Sequence, residues 1–119
     1  MRERHVRAVR GATTVARDEP ALVRAATREL LAALLERNAL TPADIVSAVF
    51  TVTGDLRSEF PARAARELGW GDVPLLCAVD APAAGAPPRC VRVLLHVESD
   101  RARDDLVHVR LGGAAEPAP

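Results

Sequence analysis

The first patterned stretch, HVRAVRGATT (His5–Thr14), alternates. His5, Arg7 and Val9 fall on one side and Val6, Ala8 and Arg10 on the other. This predicts a strand that ends at Gly11, where glycine permits a tight turn. Asp18 is a good helix N-cap, with Glu19 and Pro20 in the first turn. From there to about Asn38 the period becomes helical. Val23, Ala26, Leu30, Ala33, Leu34 and Arg37 form one stripe, widened by Leu22 and Leu31, while Arg24, Arg28 and Glu36 face away. LTPAD (Leu40–Asp44) gives a second capping signal and one short turn. IVSAVFTVT (Ile45–Thr53), β-branched and nearly all apolar, reads as a buried central strand.

GDLRSEF is a loop. PARAARELG (Pro61–Gly69) opens on proline and closes on glycine, the marks of a short helix. Three strands follow: VPLLCAV (Val73–Val79), CVRVLLHVES (Cys90–Ser99) and LVHVRL (Leu106–Leu111). In the second, Val91, Val93, Leu95 and Val97 oppose Cys90, Arg92, Leu94, His96 and Glu98. In the third, Val107, Val109 and Leu111 oppose His108 and Arg110. The order β-α-β-α-β-β-β predicts an α+β fold, a mixed five-stranded sheet with helices on one face. Residues 1–112 form one domain, and 113–119 are expected to be a disordered tail. The second sheet face mixes polar and apolar residues, a surface that often completes its burial by oligomerising.

Composition narrows the function. The 119 residues carry 16 basic and 16 acidic side chains, for a formal net charge of zero. Long-range attraction to nucleic acid or an anionic membrane is therefore not expected. Aromatics make up 3% and tyrosine is absent, which argues against a base-stacking platform. Every basic residue is arginine, a usage that fits a GC-rich genome, so an arginine here can stand where another protein has lysine. Cys77 and Cys90 lack the spacing of a zinc site or a disulfide framework, and each reads as a small hydrophobe. No signal peptide or membrane span is evident, so a soluble, cytoplasmic protein is expected.

The chemistry concentrates in two strands and the loop between them, PLLCAVDAPAAGAPPRCVRVLLHV (Pro74–Val97). Asp80 ends the first strand and Arg92 sits within the second. A charge inside an apolar strand is costly without partners. Arg10, Arg66 and Arg110 also lie near strand ends or on the second helix, where each alone reads as a surface charge. His5, His96 and His108 have no nucleophile or metal-ligand spacing around them and read as sheet-face histidines satisfied by neighbours or water.

The strings VRAVRGATTVARD, FPARAARELGW, VPLLC, RCVRVLLHV and HVRL, in this order and spacing, resemble the trimeric bacterial chorismate mutases of the AroH class. The similarity runs over roughly residues 6–111. It implies a small α+β domain assembled as a homotrimer whose sheets form a pseudo-barrel, with sites at the subunit interfaces. The implied reaction is the Claisen rearrangement of chorismate to prephenate, an isomerase step of aromatic amino acid biosynthesis that uses no cofactor and no metal. Arg10 then matches an arginine that grips a substrate carboxylate. Arg92, expected to be a buried cation, matches the arginine that reaches the ether oxygen and a carboxylate. Leu76 and Cys77 line the pocket, Cys77 near the substrate hydroxyl. Phe60, Ala62, Arg63 and Arg66 match the segment supplied by the neighbouring subunit.

Elementary chemistry agrees with the resemblance. A dianionic substrate calls for arginine forks. A pericyclic reaction needs no nucleophile, only a restrained conformer and a cation where negative charge develops. Three departures stand out. Asp80 replaces a family glutamate that binds the substrate hydroxyl, Arg110 replaces a tyrosine that donates to a carboxylate, and the C-terminal segment is short. Asp80 and Arg110 are expected within salt-bridge reach of each other. These paired changes also support a second reading, an enzyme on the same trimer recut for another small anion in a specialised pathway. A third is a non-catalytic trimer that binds an anion or a partner protein.

Overall fold

The computed structural model describes residues 3–82 and 85–115. Five strands form one mixed sheet in the order β3-β2-β4-β1-β5. They are β1 (His5–Thr14), β2 (Ile45–Val52), β3 (Leu75–Val79), β4 (Cys90–Ser99) and β5 (Val109–Arg110), with helices α1 (Pro20–Arg37) and α2 (Ala62–Glu67) between them. β4 lies antiparallel between β1 and β2, while β3 runs parallel to β2 and β5 parallel to β1. The mixed sheet predicted from the hydrophobic pattern is therefore the one observed.

Alternation explains the layers. The β1–β4 register pairs Val9 with Leu95 and Gly11 with Val93, and β2 adds Phe50 opposite Val93 and Ala48 opposite Leu95. These side chains share one core with Leu30, Leu31 and Leu34 of α1, Ala65 of α2 and the fully buried Trp70. Both helices thus cover the same face. The other face carries Arg10, Val49, Thr51, Arg92, Leu94 and His96 and is exposed or half-buried. Among the described residues no helix covers it.

Several local expectations are corrected. β1 does not end at Gly11 but continues to Thr14. Gly11 is needed there for close approach: a Cβ would sit 2.7 Å from Leu34 Cδ1 and 3.0 Å from Leu30 Cδ1. Asp18 does not cap α1. Its carboxylate accepts the backbone N–H groups of Arg57 and Ser58, at 3.0 and 3.1 Å, and Glu19 takes the N-cap position without a side-chain cap bond. β3 starts at Leu75 because Pro74 has no N–H to pair, although its carbonyl accepts Ala48 N–H at 3.0 Å.

β5 is only two residues long. The segment before it is claimed by buried Asn38, whose amide oxygen accepts Val107 N–H at 2.7 Å and whose amide nitrogen donates to Val107 C=O at 2.9 Å. The tail does not become disordered at Gly113. Gly112–Ala115 forms a 3-10 turn with Ala114 buried, and Gly113 N–H donates to Thr14 Oγ1 at 2.8 Å. The rest of the tail, 116–119, lies outside the described residues.

Candidate active site

The open sheet face holds a cleft of about 600 Å³. Strand register brings its charged residues together. Arg92 on β4 is paired with Ala12 of β1 on one side and Thr51 of β2 on the other. Arg10 lies opposite Leu94 across β1–β4, and Arg110 pairs with Ala12 across β1–β5. Each reaches this face because its immediate strand neighbours are core residues, so the pleat turns it outward. Asp80 follows β3 directly, and its N–H donates to Val52 C=O at 2.8 Å, which extends the β2–β3 pairing by one step.

Arg10, Asp80, Arg92 and Arg110 all line the cleft, which among the described residues therefore contains three guanidinium groups and one carboxylate. Arg92 Nε is 3.8 Å from Asp80 Oδ2. That oxygen is buried and has no hydrogen-bond partner among the described residues. An acceptor in this condition is costly unless a donor arrives. The expected Asp80–Arg110 contact is corrected: Asp80 pairs with Arg92, and no ion pair joins it to Arg110 among the described residues. Arg92 is also not a buried cation in the single chain. Its side chain is 48% exposed, because the face it occupies is uncovered. Beneath it, burial pushes the Cys90 thiol up from its ordinary value, an effect opposed by the neighbouring Arg92.

The other expected site residues stand apart from this cleft within one chain. Leu76 and Cys77 lie on β3, the sheet edge, and both are exposed. Cys77 pairs with Phe50, a helix-face residue, so the pleat sets it off from Asp80. Phe60 is 71% exposed just before α2. Ala62 is buried at the start of that helix, while Arg63 and Arg66 on it are exposed.

This segment is clamped from behind. The Glu59 carboxylate accepts from Arg24 of α1 at 2.7 Å and from Phe60 N–H at 3.1 Å, and it lies 3.3 Å from Arg63 Nε. Hydrogen bonds from Arg24 and Phe60 hold Glu59 below the ordinary carboxylate range against its own desolvation, the largest single influence on it. Glu67 ties α2 to Arg24 and Arg28 of α1. An exposed aromatic on a braced loop is presented outward, away from its own chain's cleft.

Sequence reasoning missed His108, Thr51 and the turn residues Gly113 and Ala114, all of which line the cleft. For His108 the signal was present, since it alternates with Arg110 on one side of HVRL. The expectation that the histidines are satisfied by neighbours holds for His96 and His108. His96 Nδ1 is 3.1 Å from Ser47 Oγ, His108 Nδ1 accepts from Arg10 N–H at 3.0 Å, and His5 lies 3.7 Å from Glu3. Among the described residues no three His, Cys, Asp or Glu side chains cluster as metal ligands, and no helix is long and apolar enough to cross a membrane.

Comparison with known proteins agrees with this geometry. Chorismate mutase AroH of Thermus thermophilus is 46% identical over 115 residues, which is 96% of this chain and 94% of that protein. Chorismate mutase AroH of Bacillus subtilis strain 168 is 39% identical over 107 residues, 89% of this chain and 84% of the relative. A solved chorismate mutase from Clostridium thermocellum, Cth-682, superposes with a TM-score of 0.89 at 42% identity, covering 91% of this chain and 96% of that one. The arginine-lined sheet face thus sits in a chain that matches the description "Chorismate mutase type I" over residues 6–118, and the protein belongs to that family.

Proposed function

We propose that the cleft rearranges chorismate to prephenate, with Arg10, Asp80 and Arg92 as the groups that act on the reacting molecule. The observation that carries this is the convergence of Arg10, Arg92 and Arg110 beside the unpartnered Asp80 Oδ2 on one open face. Chorismate carries two carboxylates, and arginine forks bind carboxylates bidentately. Arg10 and Arg110 hold them and so select the folded conformer in which the reacting carbons approach. Arg92 stands at the ether oxygen, where negative charge builds as the C–O bond breaks. Asp80 accepts the substrate hydroxyl proton in a hydrogen bond and is released from sole reliance on Arg92. No proton transfer or covalent intermediate enters. Relatives named as mutases at 46% and 39% identity favour this reading over one built on another small anion.

The site is completed by a second copy of the chain. Exposed Val6, Val46, Leu76 and Val79 leave apolar surface to cover. Phe60, Ala62, Arg63, Arg66, Leu76 and Cys77, set apart from their own cleft, close the cleft of the adjacent subunit in a homotrimer. Arg63 and Arg66 add positive charge around the dianion. A cytoplasmic location accompanies this reading, supported by the unpaired thiols of Cys77 and Cys90.

Mixing the protein with chorismate and following the loss of its ultraviolet absorbance tests the reaction. Enzyme-dependent decay with prephenate as product is expected. Decay no faster than the uncatalysed background overturns it.

A further inference from the structure

We infer that His108 is the positioning residue for Arg10, an assignment that rests on the proposed mutase site. The Arg10 backbone N–H donates to His108 Nδ1 at 3.0 Å. β1 and β5 pair only at Gly11↔Val109 and Ala12↔Arg110, and Leu111 N–H closes the pairing on Ala12 C=O at 2.9 Å. The imidazole therefore supplies an acceptor one residue before the short ladder begins, where β5 has already turned toward Asn38. It holds β1 at the residue whose side chain must meet a substrate carboxylate.

Three features make this more than a fold contact. First, β5 has other anchors: Val109 is buried and Asn38 makes two bonds to Val107. Loss of the imidazole leaves those intact and removes only the acceptor of the Arg10 N–H on the β5 side, while β4 still pairs with β1 there. Second, His108 and Arg110 share one side of HVRL and both line the cleft. A single two-residue step thus carries one guanidinium and the acceptor that orients another. Third, the Nδ1 that accepts the Arg10 N–H is spent on that bond, which leaves Nε2 as the ring's other polar atom. A misplacement of about 1 Å in such a site can cost on the order of 10²-fold in rate.

The test uses His108→Ala, His108→Asn and His108→Gln. Asparagine places its amide oxygen near the position of Nδ1, whereas the glutamine amide lies near Nε2. Since one hydrogen bond contributes about 0.5–1.5 kcal/mol, His108→Ala and His108→Gln should raise KM for chorismate by about 2–13-fold, with a smaller change in kcat. His108→Asn should recover most of that loss. Amide hydrogen exchange gives an independent reading: the Arg10 amide exchanges slowly in the wild type and in His108→Asn, and faster in the other two. Unchanged KM and unchanged Arg10 exchange in His108→Ala overturn the assignment. Equal impairment of all three variants also overturns it, because the ring would then matter for something other than its Nδ1. A wild type without turnover defeats the mutase reading and the role of Arg10 with it, and Arg10 exchange then reports only on the bond.

Discussion

Arg92 Nε lies 3.8 Å from Asp80 Oδ2, across two strands and in a cleft that holds two further arginines. The pair links the one carboxylate among the described residues of the cleft lining to the cation proposed to stabilise the breaking bond. Arg92→Ala should therefore lower kcat by about 10²-fold or more, the usual effect of removing a preorganised donor from a developing oxyanion. Far-ultraviolet circular dichroism should remain unchanged, because the side chain is half exposed. A variant that keeps most of its kcat would show that Arg92 serves the sheet alone.

Coupling energies should follow the observed pair. A double-mutant cycle of Asp80→Ala and Arg92→Ala on kcat/KM should be non-additive by roughly 0.5–3 kcal/mol, as for groups in contact. The cycle of Asp80→Glu and Arg110→Tyr should be additive within about 0.5 kcal/mol, since no ion pair joins positions 80 and 110. The reverse pattern would place the working partner of Asp80 on β5.

Light scattering at micromolar concentration should give three times the chain mass. Phe60 before α2 and Leu76 and Val79 on the edge strand β3 are 71%, 69% and 68% accessible in the single chain, apolar surface that a partner subunit would cover. A monomer mass would remove the shared site.

Acid should weaken the fold through four carboxylates, Glu59 with its Arg24 and Phe60 donors among them. The Ser58 and Arg57 donors hold Asp18 below its ordinary pKa, the Arg4 guanidinium does so for Asp44, and the Thr53 hydroxyl for Asp55. A carboxyl with a depressed folded pKa binds protons more readily when unfolded. Its stabilisation is complete above the unfolded value, roughly 4, and is lost as pH falls through the folded value. Melting temperature should therefore be flat from pH 7 to about 5 and then decline. Asp18→Asn should melt lower at neutral pH and lose less on acidification. An equal decline in the variant and wild type would remove Asp18 from this account.

Gly11→Ala should destabilise the fold by about 1–3 kcal/mol, the range for overpacking a filled core. The added methyl meets Leu34 and Leu30, both fully buried. Urea denaturation measures it, and an unchanged midpoint would mean that α1 moves away without cost.

Alternation made most of the sheet legible, because a face-by-face rule survives in any strand with one covered side. The bounds of β4 (Cys90–Ser99) came directly from it. What the pattern could not show were the places where side chains replace backbone. Asn38 shortens β5, Asp18 leaves the helix to bind a loop, and His108 stands in for a strand acceptor. Gly11 misled for a related reason: glycine marks both a turn and a close approach, and only the position of Leu30 and Leu34 decides between them. The cleft arginines were legible through their outward parity and the family resemblance. The partner of Asp80 was not, since two arginines shared the same face and only register places Arg92 nearer.

The β1 pairings also carry a consequence for how the protein comes to be active. His5 meets Ser99 and Gly11 meets Val109, so β1 finds both of its neighbours near the opposite end of the chain. Closing such large loops delays folding, and topologies rich in distant pairings fold on the scale of milliseconds to seconds. Arg10 sits on the early-synthesised partner of those pairs, and Arg92 and Arg110 on the late ones. Until β4 and β5 have paired with β1, the sheet face presents Arg10 without the other two cleft arginines.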